Sequence, residues 1–182
     1  MSEASLSLRY YGDPVLRRRA DPVRAISEET RALVEGMFEV MYAARGLGLA
    51  APQVGVSERV FVVDVEEEGV RVKRAFVNPV MVERSGSMTG EEGCLSIPGL
   101  YADVKRHERV VFEALDETGA AFRVEATGML ARALQHELDH LDGVLFVDRL
   151  NLVRRRLLAS KLERIREEAP RGASLPSPSS PL

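Results

Sequence analysis

Residues 129–143 read Met-Leu-Ala-Arg-Ala-Leu-Gln-His-Glu-Leu-Asp-His-Leu-Asp-Gly, and the run from Gln135 to His140 sets two imidazoles four residues apart with a carboxylate between them. At roughly 3.6 residues per turn, His136 and His140 fall about 40° apart on one face, one turn from each other, and Glu137 lies about 100° from His136. Such a pair can bridge one divalent cation. The flanks predict a helix: Met129, Leu130, Ala133, Leu134, Leu138 and Leu141 recur at helical spacing, Thr127 is placed to cap the start, and Gly143 to stop the end. Leu130, Leu134, Leu138 and Leu141 point to one side, Met129 and Ala133 to the histidine side. A helix apolar nearly all round is buried, and buried histidines need partners.

Working outward, Asp13-Pro14 predicts a capped short turn through Val15, Leu16 and Arg17. Ser27 predicts the N-cap of a longer helix with Leu33, Val34, Met37, Phe38, Met41 and Ala44 inward, Glu28 and Glu29 at its positive end, and Gly46 as its stop. Arg59–Val65 is a β-branched run, and after the acidic turn Glu66–Gly69 the residues Val70, Val72 and Phe76–Val82 continue as antiparallel strand. Gly86–Gly93 is glycine-rich and reads as a loop leading to Cys94. Arg109–Leu115 and Ala121–Val124 form a strand pair around the turn Asp116-Glu117-Thr118-Gly119. Asn151–Glu168 reads as a terminal helix, and residues 169–182 as a disordered Pro/Ser-rich tail. The expected architecture is α+β, a single domain over residues 1–168 with antiparallel strands around a central metal-binding helix, one helix before it and one after.

The 182 residues suffice for one sizeable core. With 45% hydrophobic and 29% charged residues the composition is that of an ordinary soluble protein, and the net charge of -3 gives no whole-chain signal for nucleic acid. The first twenty residues contain no apolar signal core, and no stretch approaches the ~18 apolar residues a membrane span needs. The expectation is a cytoplasmic protein without membrane contact. The region from Arg154 to Arg171 departs from the average, with seven basic residues against three acidic ones.

A catalytic metal centre usually has three protein ligands and an open position, so two histidines leave one ligand to find. A carboxylate downstream, Glu163 or Glu167, would complete a zinc endopeptidase, although both lie in a charged segment that reads as a solvated helix face. Cys94 is the stronger candidate. It is the only cysteine, it sits in the peculiar run Glu91-Glu92-Gly93-Cys94-Leu95-Ser96-Ile97-Pro98, and a cation held by two neutral imidazoles would lower its pKa. A closed structural site would want a fourth ligand, and His107, the remaining histidine, is flanked by Lys105, Arg106, Glu108 and Arg109 and reads as solvent-facing. The run Gly46-Leu47-Gly48-Leu49-Ala50-Ala51-Pro52-Gln53 follows a helix and has no lysine, so it is a poor phosphate loop. Its small residues instead suit close backbone approach to an extended ligand, with Gln53 offering an amide donor and acceptor.

Three segments in order, Gly46–Gln53, Glu92–Pro98 and Gln135–Gly143, together with Asp13-Pro14-Val15-Leu16, resemble the peptide deformylase family, and the similarity runs from about Leu8 to Arg149. The resemblance implies that Cys94, His136 and His140 hold one metal ion, usually Fe(2+), with Zn(2+), Ni(2+) or Co(2+) able to occupy such a site. It implies a formyl-methionyl nascent polypeptide as substrate and formate as product. Glu137 would be the acid-base residue, and the Gln53 side chain and the Leu95 backbone N–H would stabilise the oxyanion. Leu47 and Gly48 would pair with the substrate backbone, while Met129 and Ala133 are either pocket wall or plain core. The basic C-terminal segment is either a solvated helix or a transient ribosome contact.

Overall fold

The computed structural model describes residues 6–170. Its elements in chain order are α1 (Glu28–Ala43), β1 (Gly48–Ala50), β2 (Val60–Glu67), β3 (Val70–Ser85), β4 (Met88–Cys94), β5 (Ile97–Arg106), β6 (Arg109–Leu115), β7 (Ala121–Thr127), α2 (Gly128–Leu141) and α3 (Leu152–Glu168), with short 3-10 turns after Asp13, Ala50 and Leu145. Every strand pairing between these elements is antiparallel. A five-stranded sheet runs in the order β1-β2-β3-β6-β7, and β4 and β5 form a separate hairpin. This is the expected α+β arrangement around α2.

Strand β2 explains the layering. Successive side chains of a strand point to opposite faces. Val60 and Val62 join the core beneath α1 with Met37 and Met41, while Phe61, Val63 and Val65 join the core beneath α2 with Leu134 and Leu141. Ala75 and Val77 divide from Phe76 in the same way on β3. The apolar run at 60–63 is therefore continuous because both of its faces are covered. The β2–β3 turn has positive φ at Glu68 (51°) and Gly69 (79°), the pattern of a two-residue hairpin whose twist matches its strands.

Helix α1 begins as the sequence indicates, with Ser27 and Thr30 in a reciprocal capping box. Its end differs. The Gly46 N–H bonds to Met41 O and the Arg45 N–H to Tyr42 O, so Arg45, at φ 58°, takes the left-handed position and glycine the next one. At α2, Thr127 holds the N-cap position without a side-chain bond, and Glu67 of β2 instead accepts from the Met129 N–H at 3.0 Å. A carboxylate there suits the positive end of the helix.

The glycine-rich stretch at 86–93 is not a loop: its greater part is β4, zipped to β5 from Met88↔Arg106 to Cys94↔Ile97. Two of its glycines answer to packing, since a Cβ on Gly93 would stand 2.6 Å from the Tyr101 ring and one on Gly90 3.0 Å from the Arg132 guanidinium. Helix α3 packs Leu158, Leu162 and Ile165 against Leu16, Phe146 and Val147. Ala169, assigned to the tail by sequence, is partly buried against the α1 core, and residues 171–182 of that expected tail lie outside the described residues. No helix among the described residues is long and apolar enough to cross a membrane.

Phe76 is fully buried, stacked on Phe61 at 4.6 Å and edge-on to Phe112 and Phe122. Phe76→Ala is expected to lower unfolding free energy by about 3–5 kcal/mol. In urea denaturation this appears as a lower midpoint with an unchanged slope.

Candidate metal centre

Helix α2 delivers His136 and His140 one turn apart, and their Nε2 atoms stand 3.2 Å from each other. Cys94 ends β4 at the two-residue turn Leu95-Ser96, which aims its sulfur at the helix, 3.3 Å from His140 Nε2. All three ligand atoms lie within 4.8 Å of one another. For metal–sulfur and metal–nitrogen bonds of about 2.3 and 2.05 Å at tetrahedral angles, the expected separations are about 3.6 Å for S–N and 3.4 Å for N–N. The Cys94–His140 and His136–His140 separations therefore come within about 0.3 Å of the spacing a first-row divalent ion requires.

The second nitrogen of His136 is fixed from behind. Its Nδ1 lies 3.0 Å from Glu92 Oε2, and a carboxylate accepts, so Nδ1 carries a proton and Nε2 is the nitrogen turned to the site; burial lowers the ring's pKa, but the bonds to Cys94 and Glu92 outweigh it and hold the ring well above its ordinary value. Glu92 is itself held by Arg106, through Nε at 2.7 Å and Nη2 at 2.9 Å, and by Arg132 Nη1 at 2.9 Å. Burial alone would raise the Glu92 pKa, but the bonds from Arg106 and His136 outweigh it and hold the carboxyl well below its ordinary range. The remaining arm of Arg106 reaches Asp139 at 2.6 Å, and Asp139 also takes a two-point contact from Arg149. Gln135 accepts from the His107 N–H and donates to its carbonyl, tying α2 to the end of the β4–β5 hairpin. His107 is thus half-buried, with its backbone engaged by Gln135.

Glu137 is buried, and its Oε2 has no hydrogen-bond partner among the described residues. Its Oε1 lies 2.6 Å from where a Cβ on Gly48 would stand, so the absence of a side chain at 48 is what admits the carboxylate. Burial first, with Glu92 and Asp139 adding to it, pushes the Glu137 carboxyl up to about 7. His140 is held well below its ordinary value, chiefly by burial, which keeps it neutral as a ligand must be.

Gln53 lies in the same cluster, its Nε2 3.6 Å from Cys94 Sγ and 3.2 Å from Ser96 Oγ. Leu95 follows Cys94 in the turn, its side chain over Gly46, where a Cβ would meet Leu95 Cδ1 at 2.6 Å. Leu47 and Gly48 are half-buried at the open edge of β1. Met129 is 44% exposed in the first turn of α2, about 12 Å along the helix from Glu137 on the same i, i+4 row. Ala133 lies between them on that row, half-buried. Glu163 pairs with Arg166 and Glu167 is exposed, both on α3, so the downstream carboxylates play no part in this cluster.

Sequence reading passed over Glu92, Ser96, Arg106, Arg132, Asp139 and Arg149 as functional residues. A signal existed for Arg106. Leu100, Ala102, Val104 and Arg106 alternate along β5, and the period of two puts Arg106 on the inward face with Leu100 and Val104.

The comparisons with known proteins agree on one family. The family model described as Polypeptide deformylase matches residues 5–156. The peptide deformylase of Alkalilimnicola ehrlichii is 49% identical over 162 residues, spanning 89% of this chain and 91% of that protein. That of Neisseria gonorrhoeae is 50% identical over 161 residues, spanning 88% and 96%. Among solved structures, the peptide deformylase of Thermus thermophilus superposes with a TM-score of 0.83 at 46% identity, covering 91% of this chain and 99% of that one. The Legionella pneumophila enzyme gives 0.82 at 42% identity, covering 92% and 100%.

Arg106→Met would leave two buried carboxylates short of their principal cation, and is expected to cost about 3–5 kcal/mol of stability. Urea unfolding of the metal-free variant measures it, and a loss under about 1 kcal/mol would show the network to be dispensable.

Proposed function

The chain belongs to the polypeptide deformylase family, a metal-dependent hydrolase that removes the N-formyl group from newly made polypeptides, and we propose that Cys94, His136 and His140 hold its metal while Glu137 moves the proton. The observation that supports this most is the convergence of one thiol and two imidazoles at metal-binding distances with the buried carboxylate of Glu137 beside them. When bound, a divalent ion there acidifies water and polarises a carbonyl oxygen. One thiolate with two imidazoles suits Fe(2+), our assignment at one ion per chain, and also accommodates Zn(2+), Ni(2+) or Co(2+).

The residues of the chain then divide the work. Glu137 takes a proton from the water that attacks the formyl carbon and returns it to the amine nitrogen as the C–N bond breaks, leaving formate and a free amino terminus. The Gln53 Nε2 and the Leu95 backbone N–H donate to the carbonyl oxygen as it becomes negative. Losing one such donor typically costs ~3 kcal/mol, about a hundredfold in rate.

Strand register supports a peptide-binding edge on β1. The Asp64 N–H bonds to Leu47 O, so Leu47 turns its backbone to β2, and Gly48, opposite Val63, occupies the alternate position whose N–H and C=O face away. An extended substrate can add to this edge through Gly48, with Glu137 immediately behind it. Ala133 and Met129, further along the Glu137 row, are where we place the methionine side chain of the substrate.

The substrate, formyl-methionyl nascent chains, brings a cytoplasmic location into this reading and makes a ribosome contact worth testing. On α3, Arg154, Arg155 and Arg166 face Asp103, Asp148 and Glu163. Among the described residues Arg156, Lys161 and Arg164 make no ion pair, and Val153 and Leu157 lie exposed beside them. That stripe is our candidate for contact with ribosomal RNA.

Glu137→Ala is expected to keep its metal and lose almost all formate release from formyl-Met-Ala-Ser, measured with elemental analysis of the same sample. Retained turnover removes Glu137 from the mechanism. Reversing Arg156, Lys161 and Arg164 to glutamate is expected to weaken ribosome co-sedimentation and flatten its salt dependence. Co-sedimentation equal to that of the unaltered chain would end the docking idea.

A further inference from the structure

Ser96 is fully buried in the turn after Cys94, and its hydroxyl oxygen accepts from Gln53 Nε2 at 3.2 Å. The other end of the same carboxamide is also held. Gln53 Oε1 accepts the Ala50 backbone N–H at 2.9 Å. An N–H can only donate, so the oxygen and nitrogen of the amide cannot exchange places without setting two donors against each other. The two contacts together fix the plane of the amide, and with it the direction of the Nε2 hydrogens, beside a sulfur 3.6 Å away.

The backbones of the two residues are tied as well. The Arg9 N–H bonds to Gln53 O at 2.7 Å and the Tyr11 N–H to Ser96 O at 2.8 Å, so one short segment near the amino terminus spans the first and second motifs. The distance between Gln53 and Ser96 is therefore set by three hydrogen bonds, not by the turn alone. An amide nitrogen has two hydrogens. With one spent on Ser96, the other is turned toward Cys94 Sγ, a weak acceptor at 3.6 Å that an oxygen acquiring charge beside it would outcompete.

We propose that Ser96 is a positioning residue for deformylation, holding the Gln53 carboxamide in the one orientation that leaves an N–H for the oxyanion. The inference rests on the reading of Gln53 as an oxyanion donor. Without the Ser96 hydroxyl the amide keeps its Ala50 anchor and only the weak contact to the Cys94 sulfur, and can turn about the anchor, so the donor is present but misaimed. Misplacement of a group by an ångström can cost up to about a hundredfold in rate, so a partial loss, about tenfold, is expected here.

The test is a double-mutant cycle on metal-loaded protein with formyl-Met-Ala-Ser, reading kcat and KM separately, together with metal content and affinity by chelator competition. Ser96→Ala is expected to lower kcat about tenfold with KM within about twofold and metal affinity unmoved, and to have no further effect in a Gln53→Ala background. Ser96→Thr, which keeps the hydroxyl, should exceed Ser96→Ala several-fold. If the alanine variant does not fold, Ser96→Gly lacks the same hydroxyl and carries the same prediction. Equal losses from Ser96→Ala in both backgrounds, or a threonine variant no better than alanine, would overturn the proposal and leave Ser96 as packing. A Gln53→Ala variant about a hundredfold slower with Ser96→Ala unimpaired defeats the Ser96 proposal alone, whereas a fully active Gln53→Ala defeats the oxyanion reading beneath it.

Discussion

Arg106 donates to Glu92 and Asp139 at once, and so ties the strand that ends in Cys94 to the helix that carries both histidines. The three candidate ligands come from two elements that share no backbone ladder, so something other than sheet pairing must hold them in register. A buried guanidinium does it because its fork reads two carboxylates in fixed directions. Glu92 passes that order to the His136 ring, and Asp139 passes it to the helix one residue before His140. Such a network contributes little net stability against an apolar replacement of the same shape, yet removing one member is costly. Its use here lies in orientation.

The sheet supplies the complement to that buried clamp. Because β2 is covered on both faces, β1 can be a three-residue edge strand and still be held in place, with Leu49 and Ala50 fully buried. The edge it leaves open is short. Gly48 turns its polar groups outward, and at Ala50 the next outward N–H is already taken by Gln53. An extended chain can thus pair over about one residue before meeting the Gln53, Cys94 and Ser96 cluster, a geometry that suits a chain terminus better than an internal peptide bond. The same close packing forbids a side chain at 48, where Glu137 stands.

Much of this was legible in the residues. The period of 3.6 at 129–141 marked the central helix and its two histidines, and Ser27 marked the start of α1 with its capping box. The β4–β5 hairpin was not legible, since its inward side chains at Glu92 and Arg106 satisfy each other and leave no apolar alternation on β4 to read. Charged residues in the run from Lys105 to Arg109 look solvated in isolation; the period of two along β5 points Arg106 inward, and its partners on distant segments account for a buried charge there. Cys94 could be chosen over Glu163 and Glu167 on its motif, but the distances that make it fit depend on a turn that sequence pattern did not disclose. Likewise Ser96 carries no signal of its own, because its role lies in where Gln53 needs an acceptor.

In our reading Cys94, His136 and His140 make a three-ligand, open metal site in front of a charge network. X-ray absorption spectroscopy on the metal-loaded protein decides whether it exists. The expected spectrum has one sulfur scatterer at about 2.3 Å, two imidazole nitrogens at about 2.0–2.1 Å and a remaining light-atom position open to water or formate, with the sulfur lost in Cys94→Ser. A shell without sulfur, or one closed by four protein ligands, would contradict it.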